Sequence, residues 1–208
     1  MGQSCSNDSS VKISNEWDKI FKLSDKVNHQ KVIFHNRFGI TLVGDLYEPK
    51  EQKGKMPAIA VGGPFGAVKE QASGLYAMTM AERGFVTLAF DPSFTGESGG
   101  KARNLSSPDI NTDDFSSAVD YLSLRNNVDP EKIGIIGICG FGSLAINCAA
   151  QDPRVKATVS CTMYDLSRYI AYGYNDSITE DQRYETKKQL CAQRLEDYKN
   201  GNYKKAGG

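Results

Sequence analysis

Between residues 57 and 162, short blocks of β-branched and apolar residues alternate with stretches whose apolar positions recur at helical spacing. Ala58-Ile59-Ala60-Val61-Gly62, Phe85 to Phe90, Lys132 to Ile138 and Val155 to Thr162 read as strands apolar on both faces, the pattern of strands covered above and below. Between them, Glu70 to Arg83 places Leu75, Met78 and Ala81 on one helical face. Asp113 to Arg125 does the same with Phe115, Val119 and Leu122, and Thr112 stands where an N-cap belongs. A further helix follows Cys139 and runs to Asp152. Strands alternating with helices predict βαβ crossovers, hence an α/β fold with a mostly parallel sheet and helices on both faces.

Upstream the rhythm differs. Lys31 to His35 and Ile40 to Tyr47 are β-rich runs joined by Asn36-Arg37-Phe38-Gly39 and closed by Pro49, which predicts an antiparallel hairpin. Residues 11–28 mix Trp17, Ile20, Phe21, Leu23 and Val27 with charges and predict an irregular arm or a short helix on the body. Beyond Asp165 the chain turns polar and tyrosine-rich. Thr179 to Tyr198 reads as a solvated helix capped by Ser177 or Thr179, and residues 203–208 as a frayed tail. The division is therefore 1–28 as leader and arm, 29–166 as the α/β core, and 167–208 as a helical surface segment or the start of a lid. No internal repeat is present.

Composition narrows the function classes. The chain has 208 residues with 25 basic and 25 acidic side chains. Without a basic block, nucleic acid is not an expected partner. No apolar run reaches membrane-spanning length. The five cysteines, Cys5, Cys139, Cys148, Cys161 and Cys191, are widely spaced and suggest neither a zinc site nor a disulfide framework. No metal and no cofactor is expected. Met1-Gly2-Gln3-Ser4-Cys5-Ser6 reads as a polar leader, as a myristoylation pattern on Gly2 with Cys5 as a second acylation site, or as the remnant of a lipoprotein signal ending at Cys5. The first reading makes the protein cytoplasmic; the others make it lipid-anchored or part of the cell envelope.

The chemistry concentrates in Gly137-Ile138-Cys139-Gly140-Phe141-Gly142. A buried strand ends in glycines, turns sharply and enters a helix, with Cys139 at the apex. Neighbours without Cβ atoms permit such a turn, and the N-terminus of a helix favours negative charge on a ligand or side chain there. The Gly140 N–H, next after the cysteine, points toward a developing oxyanion. Two other readings stand beside this one. Cys139 is then a packed core residue, or the turn cradles a phosphate, although the Lys-Ser/Thr that grips phosphate is lacking.

Four segments together carry a family resemblance: Gly62 to Gln71, Asp91-Pro92-Ser93-Phe94-Thr95-Gly96-Glu97-Ser98, the elbow 137–142, and Met163-Tyr164-Asp165. With them the chain resembles the α/β-hydrolases, in the branch of dienelactone hydrolases and X-prolyl-peptidase-like esterases. The resemblance implies hydrolysis of small esters or related activated carbonyl compounds through an acyl-enzyme. Cys139 maps onto the nucleophile, Gly140 with Phe65 or Gly66 onto the oxyanion donors, and Asp165 onto an alternative acid. Lys69 and Glu70 line the site or, by the dipole argument, start the following helix. In this family the acid and histidine follow strands seven and eight, and the chain ends before either. The fold is thus expected to lack its last two strands, as a truncated hydrolase or as a non-catalytic relative with a binding or assembly role. His29 and His35 lie upstream of the elbow and read as surface hairpin residues. Strand six becomes an edge, which invites pairing into a homodimer.

Overall fold

The structure is a computed structural model that describes residues 11, 13, 16–52 and 54–205. The acylation patterns at Gly2 and Cys5 lie outside the described residues. The chain forms two compact units, residues 1–164 and 165–208.

The first unit is a six-stranded sheet in the order β1-β2-β4-β3-β5-β6. Its strands are β1 Val27–His35, β2 Thr41–Pro49, β3 Met56–Gly62, β4 Val86–Phe90, β5 Val128–Ile138 and β6 Val155–Cys161. The predicted hairpin is present and antiparallel, with Phe34 opposite Leu42. It joins the rest through an antiparallel β2–β4 pair, whereas β4, β3, β5 and β6 run parallel. The helices are α1 Ala72–Ala81, α2 Pro108–Ser123 and α3 Gly140–Gln151.

Side-chain alternation along the inner strands builds two cores. Ala58 and Ala60 of β3, Val86, Leu88 and Phe90 of β4, and Ile133 and Ile135 of β5 face Phe115, Val119 and Leu122 of α2 and Leu144 of α3. On the other face Ile59, Val61, Ala89, Ile136 and Ile138 meet Ala77, Met78 and Ala81 of α1. Burial on both faces is what the continuous apolar runs require. The sheet order and these layers are those of an α/β-hydrolase fold.

Several boundaries differ from expectation for local reasons. Helix α2 begins at Pro108 with Ser107 as N-cap, not at Thr112, which is buried within it. Pro108 presets the first helical φ, and the Asn111 side chain accepts the Ser107 N–H at 2.9 Å. Helix α1 starts at Ala72, so Glu70 lies ahead of it and does not initiate it. The arm 16–26 is irregular and packed: the Ile20 N–H donates to the Glu70 carbonyl at 3.2 Å, and an added Cβ on Gly74 would fall 3.0 Å from the Phe21 ring. Strand β6 is the sheet edge, with Lys156 to Val159 exposed.

The second unit holds α4 Leu166–Tyr172, a single 3-10 turn at Tyr174–Asp176, and α5 Glu180–Asn200. Helix α4 was not legible in the sequence pattern. Helix α5 carries the predicted Thr179 cap as a full capping box with Gln182.

Candidate functional site

Strand β5 delivers Cys139 to the carboxyl rim of the sheet and α3 starts one residue later. Cys139 is half-buried and has φ 57° and ψ −123°, a backbone conformation that costs a residue with a Cβ and persists only where its surroundings enforce it. The enforcement is visible. Its N–H donates to the Cys161 carbonyl on β6 at 2.9 Å, and its carbonyl accepts from the Gly142 N–H at 2.9 Å. A Cβ on Gly137 would fall 2.2 Å from the Phe141 carbonyl oxygen, so the turn closes only over glycine. Gly140 occupies the first position of α3, where an N–H has no intrahelical acceptor.

The loop after β3 lies directly against this turn. A Cβ on Gly140 would fall 2.1 Å from the Phe65 ring, and the Phe65 and Phe141 rings stand 5.3 Å apart, edge to face. Phe141 continues inward to Phe115 at 5.9 Å, and Phe115 to Phe90 at 5.3 Å. Phe65 is thus the outer end of an aromatic row rooted in the core. Gly66, next to it, is exposed with φ 77°. The structure therefore brings together Cys139, Gly140, Phe65 and the loop that carries Gly66.

The loop after β4 explains the Asp91-to-Ser98 motif. The Asp91 carboxylate accepts from the Glu97 N–H at 2.9 Å, while the Ser98 hydroxyl donates to the Asp91 carbonyl at 2.7 Å and accepts the Val43 N–H at 2.9 Å. Gly96 has φ 54° and the Asp91 carboxylate fills the space a Cβ would need, so the position takes only glycine. These residues knot the loop; none is placed at Cys139.

Three predicted residues have other surroundings. Asp165 belongs to the second unit and caps α4: its carboxylate accepts from the Arg168 N–H at 2.9 Å and the Ser167 hydroxyl at 2.6 Å. The Ser167 hydrogen bond, followed by that of Arg168, lowers its carboxyl below the ordinary range. His29 is not a plain surface residue. It sits between the Trp17 and Tyr47 rings, and its Nε2 meets the buried Asp45 carboxylate at 2.8 Å. His35 is half-buried at the end of β1. Both histidines lie on β1, four strand spacings from β5, roughly 19 Å at the usual interval.

Residues 39–205 match the family described as X-Pro dipeptidyl-peptidase (S15 family). The chain belongs to the S15 family. Within the wider α/β-hydrolase group it is 62% identical over 192 residues to the uncharacterized protein PA2218 of Pseudomonas aeruginosa, covering 92% of this chain and 52% of that protein. The crystal structure of PA2218 superposes with a TM-score of 0.90 over 92% of this chain and 60% of that one. A thiohydrolase of Aspergillus aculeatus, aneE, is 34% identical over 139 residues, 67% of this chain and 43% of its own. The α/β hydrolase GrgF of a Penicillium species shares the fold at a TM-score of 0.70 and 22% identity over 85% of this chain and 56% of its own, and a dienelactone hydrolase of Klebsiella pneumoniae shares it as well. The chain thus spans roughly half the length of the curated relatives it matches. Among the described residues no helix is long and apolar enough to cross a membrane.

Sequence reasoning named Lys69 as lining the site or starting the helix but missed its partners. Lys69 is fully buried, lies ahead of α1 and contacts three carboxylates. Its neighbour Glu70 was visible in the sequence, but Asp91 and Glu97 lie 22 and 28 residues downstream and gave no local signal.

Proposed function

We propose that this S15-family chain carries the acylating machinery of a hydrolase for small esters or thioesters, with Cys139 as nucleophile. The observation that carries the reading is the enforced conformation of Cys139 at the strand–helix turn, φ 57°, with the Phe65 loop pressed against Gly140. In the proposed reaction the Cys139 thiolate adds to the carbonyl carbon. The oxyanion so formed is held by the Gly140 N–H and by the N–H of Phe65 or Gly66, and its collapse expels the alkoxide or thiolate and leaves a thioester on Cys139. Water then attacks that thioester, releasing the carboxylate and a proton and returning the Cys139 thiol.

The leaving group decides between substrate classes. An amide must receive a proton on nitrogen to depart, and both histidines of these 208 residues lie roughly 19 Å from the elbow. An aryl ester or thioester departs as a stabilised anion without that help. The thiohydrolase name of one relative supports the thioester option.

With p-nitrophenyl acetate the chain should release one equivalent of p-nitrophenolate in a burst and then turn over slowly, since among the described residues both histidines lie on β1, away from the elbow. Mass spectrometry should find one acetyl group, on Cys139. Cys139→Ala should show neither burst nor adduct; a burst that survives this substitution overturns the proposal. The second reading, a non-catalytic module with a binding or assembly role, is favoured by the distance of both histidines. A Cys139 inert to both ester and iodoacetamide near neutral pH would select it.

A further inference from the structure

We infer that Lys69 is a positioning residue for acyl transfer: its buried ammonium, held by Asp91, Glu97 and Glu70, fixes the loop 62–71 against the Cys139 turn. The inference rests on the reading of Cys139 as nucleophile. Lys69 has no exposed side-chain surface, and its Nζ stands 2.8 Å from Asp91 Oδ2, 2.6 Å from Glu97 Oε2 and 2.5 Å from Glu70 Oε1. Its backbone N–H donates to Asp91 Oδ1 at 2.9 Å. One carboxylate therefore grips one residue by main chain and side chain together, a bidentate clamp that fixes both the path of the loop and its rotation.

The clamp joins two neighbouring strand ends. Asp91 directly follows β4, while Lys69 closes the loop that leaves β3, and Gly62 and Phe90 are paired at the rim. Along the loop run short-range turns, Ala67 N–H to the Pro64 carbonyl at 3.1 Å and Gln71 N–H to the Val68 carbonyl at 3.0 Å, and the arm adds the Ile20 N–H on the Glu70 carbonyl. Phe65 holds one side by its ring, and Lys69 holds the other by charge. The carboxylate oxygens of Glu70, Asp91 and Glu97 lie within 4.8 Å of one another, close enough to repel strongly without a cation among them. Lys69 is that cation. A second lysine, Lys31 of β1, contacts Glu97 at 2.8 Å and extends the network to the hairpin.

Burial alone would discharge an ammonium. Burial pushes Lys69 down, yet the Asp91 charge and its hydrogen bond, with those of Glu70 and Glu97, hold it well above the usual lysine range. Such a charge is fixed across the working pH, as a structural strut must be. Because the loop supplies the second oxyanion donor in the proposed reaction, an error of a fraction of an ångström in its backbone weakens oxyanion binding while leaving the thiol untouched.

That distinction sets the test. Acylation by p-nitrophenyl acetate develops an oxyanion, whereas alkylation by iodoacetamide is a displacement at carbon that develops none. Lys69→Met should lower the acylation rate of Cys139 by about 100-fold, the effect of losing or misplacing one oxyanion donor. It should leave the alkylation rate within about twofold, since neither the thiol nor its turn has changed. Backbone hydrogen exchange should accelerate at residues 64–70 and not in β3 or α1. Should Lys69→Met fail to fold, Glu97→Gln removes one contact of the clamp and should give a smaller loss of the same selective kind. Equal losses of acylation and alkylation, or unchanged exchange at 64–70, overturn the inference and leave the Cys139 reading standing. No burst from the unchanged protein overturns both.

Discussion

At the scale of single residues, the elbow is the position where small changes should act most strongly. Gly137→Ala puts a methyl 2.2 Å from a backbone oxygen, which no side-chain rotation relieves. Overpacking of this kind costs about 1–3 kcal/mol, and here the turn itself must open. Chemical denaturation should show the loss, and the p-nitrophenolate burst should fall further than stability alone explains. The elbow was legible because its grammar is local: strand, glycine, cysteine, glycine and helix follow one another within a few positions. His29 and Lys69 were not. The partner of His29, Asp45, is 16 residues away, and the carboxylates that hold Lys69 at Asp91 and Glu97 are 22 and 28 residues away. A one-dimensional pattern shows where a titratable or charged residue stands; it does not show which distant opposite charges the fold brings back onto it.

At the scale of elements, periodicity located the strands and longer helices, while capping decided where they begin. Helix α5 is polar throughout and buries little, so its start depends on local hydrogen bonds more than on packing. Thr179 accepts from the Gln182 N–H, and the Gln182 side chain accepts from the Thr179 N–H at 2.9 Å. Thr179→Ala should therefore cost about 1 kcal/mol of local helix stability. Amides of the first turn of α5 should then exchange faster while those of the sheet do not change. Helix α2 illustrates the reverse case. Thr112 had the chemistry of a cap, but Pro108 and the Asn111 side chain established the start a turn earlier and left Thr112 inside. Helix α4 escaped notice because seven residues give too little periodicity to read, and only its Asp165 cap marks it.

At the scale of the molecule, the mostly parallel sheet with its antiparallel hairpin followed from the α/β reading, yet the charged layer between the arm, the hairpin and the rim did not. Within it Asp45 is fully buried and touches His29 at 2.8 Å and Lys19 at 3.2 Å. Burial pushes the Asp45 carboxyl up, but the His29 hydrogen bond and the Lys19 charge outweigh it and hold the group below the ordinary carboxylate value. A depressed acid stabilises the fold above its unfolded value, near about pH 4, and loses that contribution as pH falls through the folded value. Urea midpoints of the unchanged protein should thus drop steeply below about pH 4. Asp45→Asn should be less stable at neutral pH with a shallower acid limb, the two curves converging in strong acid.

The sheet order also has a consequence in time. The central strand β3 is made early in the chain, but one neighbour, β4, follows an intervening helix, and the other, β5, follows two. Until β5 arrives, β3 has one open side, and until β4 arrives it has two. Pairings so distant in sequence close large loops before they return any contact energy, so they form slowly and late. The Cys139 turn lies at the very end of β5, and its N–H is anchored on β6, later still. On a ribosome or in a refolding tube, the Cys139 turn accordingly acquires its shape only after β5 and β6 have joined the sheet, and a nascent chain carries the cysteine on unshaped backbone until then.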